Sequence, residues 1–257
     1  MKKSIGFIGG GRITRIFLEG WRKDNQSLEN ITVSDANGEL LGKLESEYHE
    51  IKTSAGDNSR AAGAQIVFVA LHPPVIRETL EKVKSFFSND TVLVSLAPKV
   101  SLQALSGLTG LSKIVRMIPN APSIVGEGYN PVAFSPDFPR AEAKEFLKIM
   151  KPLGDFPEVE EAKLEAYAII TAMGPTYLWF QLYELQAIGE SFGLTSQEIS
   201  AGLEAMVMGA ARTMTTAQLS PAGVMDLIPV KPLGEDEAAI KGFYHTRLEA
   251  LYAKLKN

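Results

Sequence analysis

The stretch IGFIGGGRITRIFLEGW, Ile5 to Trp21, decides the fold. An apolar strand runs into a glycine turn, and the turn runs into a helix. Gly9 and Gly11 take the first two positions of the pattern G-x-G-x-x-G, with Thr14 where a third Gly or Ala usually stands. Such a turn brings backbone N–H groups to the positive end of a helix, where a pyrophosphate binds. Gly9, Gly11, Arg12 and Ile13 are therefore candidate cofactor contacts. A tight strand-to-helix turn without a ligand has the same sequence, and the glycines alone do not separate the two readings.

The next strand adds to the first reading. Ile31-Thr32-Val33-Ser34-Asp35 is a β-branched run ending in an acid, 21 residues after Thr14. A dinucleotide fold places an acid about 20 residues past the glycines, on the adenosine ribose. Asp35 is the candidate, with Ser34 beside it able to touch a phosphate. No arginine follows, since Ala36 and Asn37 come next. A carboxylate repels a 2′-phosphate, so NADH is expected over NADPH. The plainer reading of Asp35 is a turn or helix-cap residue, because Asn37-Gly38 follows.

Further along, strand-like runs cover 31–34, 65–71, 91–96, 114–117 and 131–134, and helical patterns fall between them. The middle strands are almost continuously apolar, as parallel strands covered on both faces are. The alternation predicts an α/β fold: an N-terminal Rossmann-type, doubly wound, mostly parallel sheet. Ligands bind such sheets at the carboxyl ends of the strands. That rule adds Ala70, Leu71, His72, Pro73, Ala97 and Asn120 to the cofactor candidates.

From Arg140 onward the pattern is helical. An all-α dimerisation domain is expected over 156–257, after a dinucleotide-binding domain over 1–155. Thr195-Ser196-Gln197-Glu198 reads as a capping box opening a helix. The run 175–191 carries Tyr177, Leu178, Trp179, Phe180, Leu182, Tyr183, Leu185 and Ile188, which cover more than one helix face. Such a helix should be buried on several sides, so packing between subunits is expected.

Composition bounds the rest. The 257 residues are 45% hydrophobic and 22% charged, with net charge −4, which favours neither nucleic acid nor an anionic membrane surface. There is no cysteine, so disulfides and thiol catalysis are excluded. His49, His72 and His245 show no metal-ligand spacing, and no metal is expected. No apolar run approaches the roughly 20 residues of a membrane span. Met1-Lys2-Lys3 is basic, but glycines break the apolar stretch behind it, which argues against an export signal. A cytoplasmic protein is expected.

Several segments together resemble pyrroline-5-carboxylate reductase. The glycine turn matches that family's opening, and Val69 to Pro74 sits where it has an Ala-Val-Lys-Pro strand end. Leu93 to Ala97 corresponds to its Ser-x-Ala-Ala-Gly strand. Arg116-Met117-Ile118-Pro119-Asn120-Ala121-Pro122 is close to its Arg-x-Met-Pro-Asn-x-Pro segment, the most specific match. Thr171 to Tyr177 resembles its Ser-Gly-Ser-Gly-Pro-Ala-Tyr motif, which opens a long dimerisation helix. The order and spacing hold across nearly the whole chain.

The resemblance implies hydride transfer from NAD(P)H to a cyclic imine carboxylate, pyrroline-5-carboxylate, giving proline. It implies a small imine or amino-acid-like substrate and a homodimer, with room for a higher oligomer. Departures fall in the substrate half. The family's Ser-Pro-Gly-Gly-Thr-Thr loop is here Lys231-Pro232-Leu233-Gly234-Glu235-Asp236, and its Ala-Ala-Gly is Ala97-Pro98-Lys99. Lys231 or Lys99 can hold a substrate carboxylate, and Glu235 or Asp236 can stabilise an iminium. Tyr177 and Glu184 share a helix face and can reach one pocket. These four, Glu235, Asp236, Tyr177 and Lys231, are the catalytic candidates. Against them stand plainer roles: a solvated loop, an acidic first turn for the last helix, and core packing for Tyr177. A related reductase of another imine or carbonyl, and a non-catalytic dinucleotide-binding paralogue, remain open.

Overall fold

The computed structural model describes residues 3–256; Met1 and Lys2 of the basic start lie outside them. Its strands and helices alternate from the outset. They run β1 (Ile5–Ile8), α1 (Arg12–Lys23), β2 (Ile31–Asp35), α2 (Gly38–Glu47), β3 (Lys52–Ala55), α3 (Ser59–Ala62), β4 (Ile66–Val69) and α4 (Pro73–Val83). β5 (Val92–Ser95), α5 (Leu102–Thr109), β6 (Ile114–Met117), β7 (Gly128–Tyr129), β8 (Val132–Phe134), α6 (Arg140–Met150) and β9 (Gly154–Asp155) follow.

Seven strands form one sheet in the order β3-β2-β1-β4-β5-β6-β8, parallel except for β8 against β6. This is the doubly wound sheet that the alternation predicts, with the order reversing between β1 and β4. Both faces are covered. On one, Phe7 stacks on Phe68 at 4.7 Å, with Phe17 edge-on to both and Trp21 edge-on to Phe68. The other face buries Ile8, Val67, Val69, Ile76 and Leu80. Burial on both faces is why the middle strands read as unbroken apolar runs.

Three short strands escape the sequence reading. β3 is partly exposed at the sheet edge, while β7 and β9 are two residues each and pair with one another. Gly154 makes the last pairing possible: its φ is +123°, and a Cβ there would lie 2.1 Å from the Gly128 carbonyl oxygen. This strand sits in a stretch that the sequence reads as helical only.

The chain divides into two compact units, with Gly174–Ala250 as the second and everything before it, rejoined from Leu251, as the first. The division falls after Met173 rather than after residue 155. β9, α7 (Leu164–Tyr167) and a π-helical turn, Ala168–Ala172, belong to the sheet's unit, and Leu164 and Ala168 are buried in its core. The second unit contains α8 (Pro175–Ser191), α9 (Ser196–Thr216), α10 (Pro221–Asp226) and most of α11 (Glu237–Lys256). The capping box forms as the sequence predicts, with Thr195 and Glu198 bonding reciprocally. The expected burial of α8 does not occur within one chain. Only Gly189 of it is buried, while Phe180 and Tyr183 are 67% and 72% exposed.

Candidate functional site

The glycine turn is built by three different constraints. Gly9 has φ +108°, and a Cβ on it would lie 2.5 Å from the Ala70 carbonyl oxygen. A Cβ on Gly10 would meet Leu40 at 2.7 Å. Gly9 is required by the fold, whereas the atom Gly10 would meet is the mobile end of a side chain. Gly11 is different: its φ is −70°, and a Cβ there would touch nothing within 4 Å. Nothing in the chain demands a glycine at that position.

Gly11 is the N-cap of α1, and no side chain caps the helix. The N–H groups of Arg12, Ile13 and Thr14 therefore have no carbonyl within the helix to donate to. An anion fits there, because it meets those N–H groups at the positive end of the helix. Thr14, the departure from the glycine pattern, is absorbed. It is fully buried, and its hydroxyl donates to the Gly9 carbonyl at 2.6 Å, bracing the turn.

Asp35 ends β2 beside this turn. Its Oδ2 accepts the Gly10 N–H at 2.8 Å, and its Oδ1 accepts the Asn37 N–H at 2.8 Å. Asn37 in turn caps α2 by accepting the Leu40 N–H at 3.0 Å. Asp35 is thus both a turn residue and a charge at the mouth of the turn. Gly10, Gly11, Arg12, Asn37 and Lys43 border a cavity of about 380 Å³. Arg12 is exposed there, while Lys43 pairs with Glu39 at 2.9 Å.

Two cofactor candidates need correction. Ser34 is fully buried, and its hydroxyl donates inward to the Phe7 carbonyl at 3.2 Å, so it is not placed to touch a phosphate. Asn120 is buried with its amide engaged in holding the fold. Its Oδ1 accepts the Tyr129 N–H at 3.1 Å, and its Nδ2 donates to the Thr171 carbonyl at 3.4 Å. It ties the end of β6 to β7 and to the π-helical turn.

The other strand ends lie where the sheet predicts. Ala70 continues β4, donating its N–H to Ile8, and Leu71 packs on the core. His72 is exposed and serves as N-cap of α4, with Pro73 at the first helical position. Ala97 is buried.

At the end of β6 lies an ionic network that the sequence did not reveal. Arg116 is 4% exposed; its Nη1 meets Glu161 at 2.9 Å and its Nη2 meets Glu165 at 2.6 Å. Burial pushes the Glu165 carboxyl up, but Arg116's hydrogen bond and charge outweigh it, so the group stays below the ordinary carboxylate range.

In the helical unit the catalytic candidates separate. Lys231 lines a cavity of about 1170 Å³ together with Glu184, Glu237 and Tyr244. Tyr177 lines an adjoining one of about 520 Å³ with Tyr244 and Arg247, its ring edge-on to Tyr244 at 6.0 Å. Glu235 and Asp236 border neither; they are exposed in the turn before α11, where the Asp236 carbonyl accepts the Ile240 N–H. Among the described residues, no cluster of three or more His, Cys, Asp or Glu is placed to hold a metal. No helix of theirs is long and apolar enough to cross a membrane.

Comparison with known proteins agrees with this geometry. A family model described as NADP oxidoreductase coenzyme F420-dependent matches residues 4–99, from β1 through the loop after β5. The chain is similar to the pyrroline-5-carboxylate reductase of Corynebacterium melassecola, with 28% identity over 244 residues, 93% of this chain and 89% of that one. It is 24% identical to the pyrroline-5-carboxylate reductase of Escherichia coli K12 over 258 residues, 98% of this chain and 95% of that one. A solved pyrroline-5-carboxylate reductase from Coxiella burnetii superposes with TM-score 0.70 at 26% identity, covering 99% and 95% of the two chains. The fold is also that of a Plasmodium falciparum pyrroline carboxylate reductase solved with NADP bound: TM-score 0.81, 20% identity, coverage 99% and 97%.

Proposed function

We infer that the chain is a member of the pyrroline-5-carboxylate reductase family, and we propose that it reduces pyrroline-5-carboxylate to proline with NAD(P)H. The observation that carries this reading is Gly11. A glycine that the fold does not need stands at an uncapped helix N-terminus, where a pyrophosphate needs close approach. A bound reduced nicotinamide supplies the hydride, which goes to the imine carbon while the ring nitrogen keeps or gains a proton. The protein's task is to hold the reactants in line and stabilise charge.

The backbone of the turn and the first N–H groups of α1 hold the pyrophosphate. The strand ends at Ala70 to Pro73 and at Ala97 border the nicotinamide. NADH is the preferred form, because the Asp35 carboxylate at the mouth of the turn opposes a 2′-phosphate. Lys231, in the larger cavity of the helical unit, pairs with the substrate carboxylate. Tyr177, in the adjoining cavity, positions the ring. The exposed aromatic residues of α8 are the contact between two copies, and the homodimer works in the cytoplasm on a free small molecule.

The charged Lys231-to-Asp236 loop favours a second reading, in which the same hydride goes to a different imine or a carbonyl. The experiment is a cofactor titration followed by turnover, for the wild type and for Gly11→Leu. Pyrroline-5-carboxylate should drive oxidation of NADH in the wild type, and Gly11→Leu should lose both binding and turnover. Turnover on another imine alone would select the second reading.

A further inference from the structure

The loop after β5 is held in an unusual shape, and the residues that hold it are far away in sequence. Lys99 has φ +73°, the left-handed region that a side chain disfavours. Pro98, just before it, has no N–H to fasten the loop. Two carboxylates fasten it instead. Glu165 Oε1 accepts the Lys99 N–H at 3.3 Å, and Glu161 Oε1 accepts the Leu102 N–H at 2.7 Å in the first turn of α5. Those same two oxygens are the ones held by the buried Arg116 guanidinium, at 2.6 and 2.9 Å. One arginine on β6 therefore fixes both clamps of the β5–α5 loop. Strained backbone of this kind persists only where its surroundings over-determine it.

We propose that Glu165 is a positioning residue for the cofactor: locked by Arg116, it holds Lys99 in its left-handed conformation and so shapes the Ala97–Lys99 loop at the carboxyl end of β5. Ligands of an open α/β sheet bind outside those strand ends. The inference rests on the reductase reading for its cofactor, but its mechanical part does not. With Glu165 removed, Lys99 relaxes to negative φ and the loop moves from the position that borders the nicotinamide. With glycine at 99 the left-handed shape costs nothing, so the clamp is no longer needed.

The test is the set Glu165→Ala, Lys99→Gly and the pair combined. Binding of NADH and NADPH is followed by titration, and amide hydrogen exchange of residues 97–102 is measured without cofactor. Glu165→Ala should weaken cofactor binding about tenfold and speed exchange of the loop by a similar factor. Lys99→Gly alone should leave binding within about twofold. The combined variant should recover most of the lost affinity while keeping the lowered melting temperature of Glu165→Ala. An equal loss in both backgrounds overturns the proposal and leaves Glu165 a partner of Arg116 only. Where Glu165→Ala fails to fold, Glu165→Met keeps the volume and removes the acceptor, and the same rescue by Lys99→Gly is expected. If the wild type binds neither nucleotide, the reductase reading fails. The exchange data then decide the clamp alone: unchanged protection of residues 97–102 overturns it.

Discussion

Asp35 reaches across from the end of β2 to accept the N–H of Gly10 at 2.8 Å, so the acid and the glycine turn are one unit. Two consecutive parallel strands, β1 and β2, are tied together here by a charge-assisted bond. Asp35→Ala frees the Gly10 and Asn37 N–H groups together and should cost ~1–3 kcal/mol of stability. It should also move the cofactor preference from NADH toward NADPH, as the charge facing the 2′ position is gone. Melting curves and paired titrations with the two nucleotides check both halves.

The two outer glycines of the turn should behave in opposite ways. Gly9→Ala forces a side chain onto φ +108° and against the Ala70 carbonyl, and should destabilise by ~1–3 kcal/mol. Gly11→Ser meets open space and supplies the cap that α1 lacks, so stability should hold or rise by ~0.5 kcal/mol. Yet Gly11→Ser occupies the N–H groups meant for a phosphate, and dinucleotide affinity should fall at least tenfold. Denaturation midpoints set beside affinities separate the residue the fold needs from the one the ligand needs.

Tyr48 gives a pH signature. Burial first, then the charges of Glu47 and Glu19, push its phenol up to about 12 from an ordinary 10.0. The unfolded chain releases this proton first, so the stability it contributes is whole below pH 10. It fades as pH climbs from 10 toward 12, by ~2 kcal/mol in all. Tyr48→Phe should flatten that alkaline limb, seen in urea midpoints measured across the range.

Association should depend on α8. Trp179, Phe180 and Tyr183 are exposed together on α8, and so large an apolar patch needs a cover. Tyr183→Glu with Trp179→Glu should convert a dimer to a monomer in sedimentation, leaving the sheet unit's fold intact. A wild type that sediments as a monomer at all concentrations contradicts the dimer.

Local chemistry was legible in the sequence, and long-range pairing was not. The glycine turn, β1, β6, α1 and the Thr195 cap follow from short patterns whose cause lies within a few residues. The sheet order follows from the alternation of strands and helices. β7 and β9 are invisible because two residues carry no periodicity, and their pairing depends on Gly154 meeting Gly128. Leu164 and Ala168, buried in the core of the sheet, keep the segment up to Met173 in the first unit, where a boundary drawn at 155 would have cut it off. Ser34 illustrates a one-residue error of facing: adjacent strand residues point to opposite sides, and Ser34 turns to Phe7 while Asp35 ends the strand. Arg116 was readable as an anomaly, a charge inside the apolar run Ile114 to Met117. Its partners, 45 and 49 residues onward, were not. In the helical unit Lys231 and Tyr177 line cavities, while Glu235 and Asp236 sit in an exposed turn held by its own backbone bonds; cavities are made by packing between helices, which no local pattern shows.

The most direct measurement is transfer of deuterium from C4-deuterated NADH to pyrroline-5-carboxylate, read by mass spectrometry of the product. The account predicts proline carrying one deuterium at the former imine carbon, formed by the wild type and lost in Gly11→Leu. Nucleotide bound to the wild type with no labelled proline would contradict it.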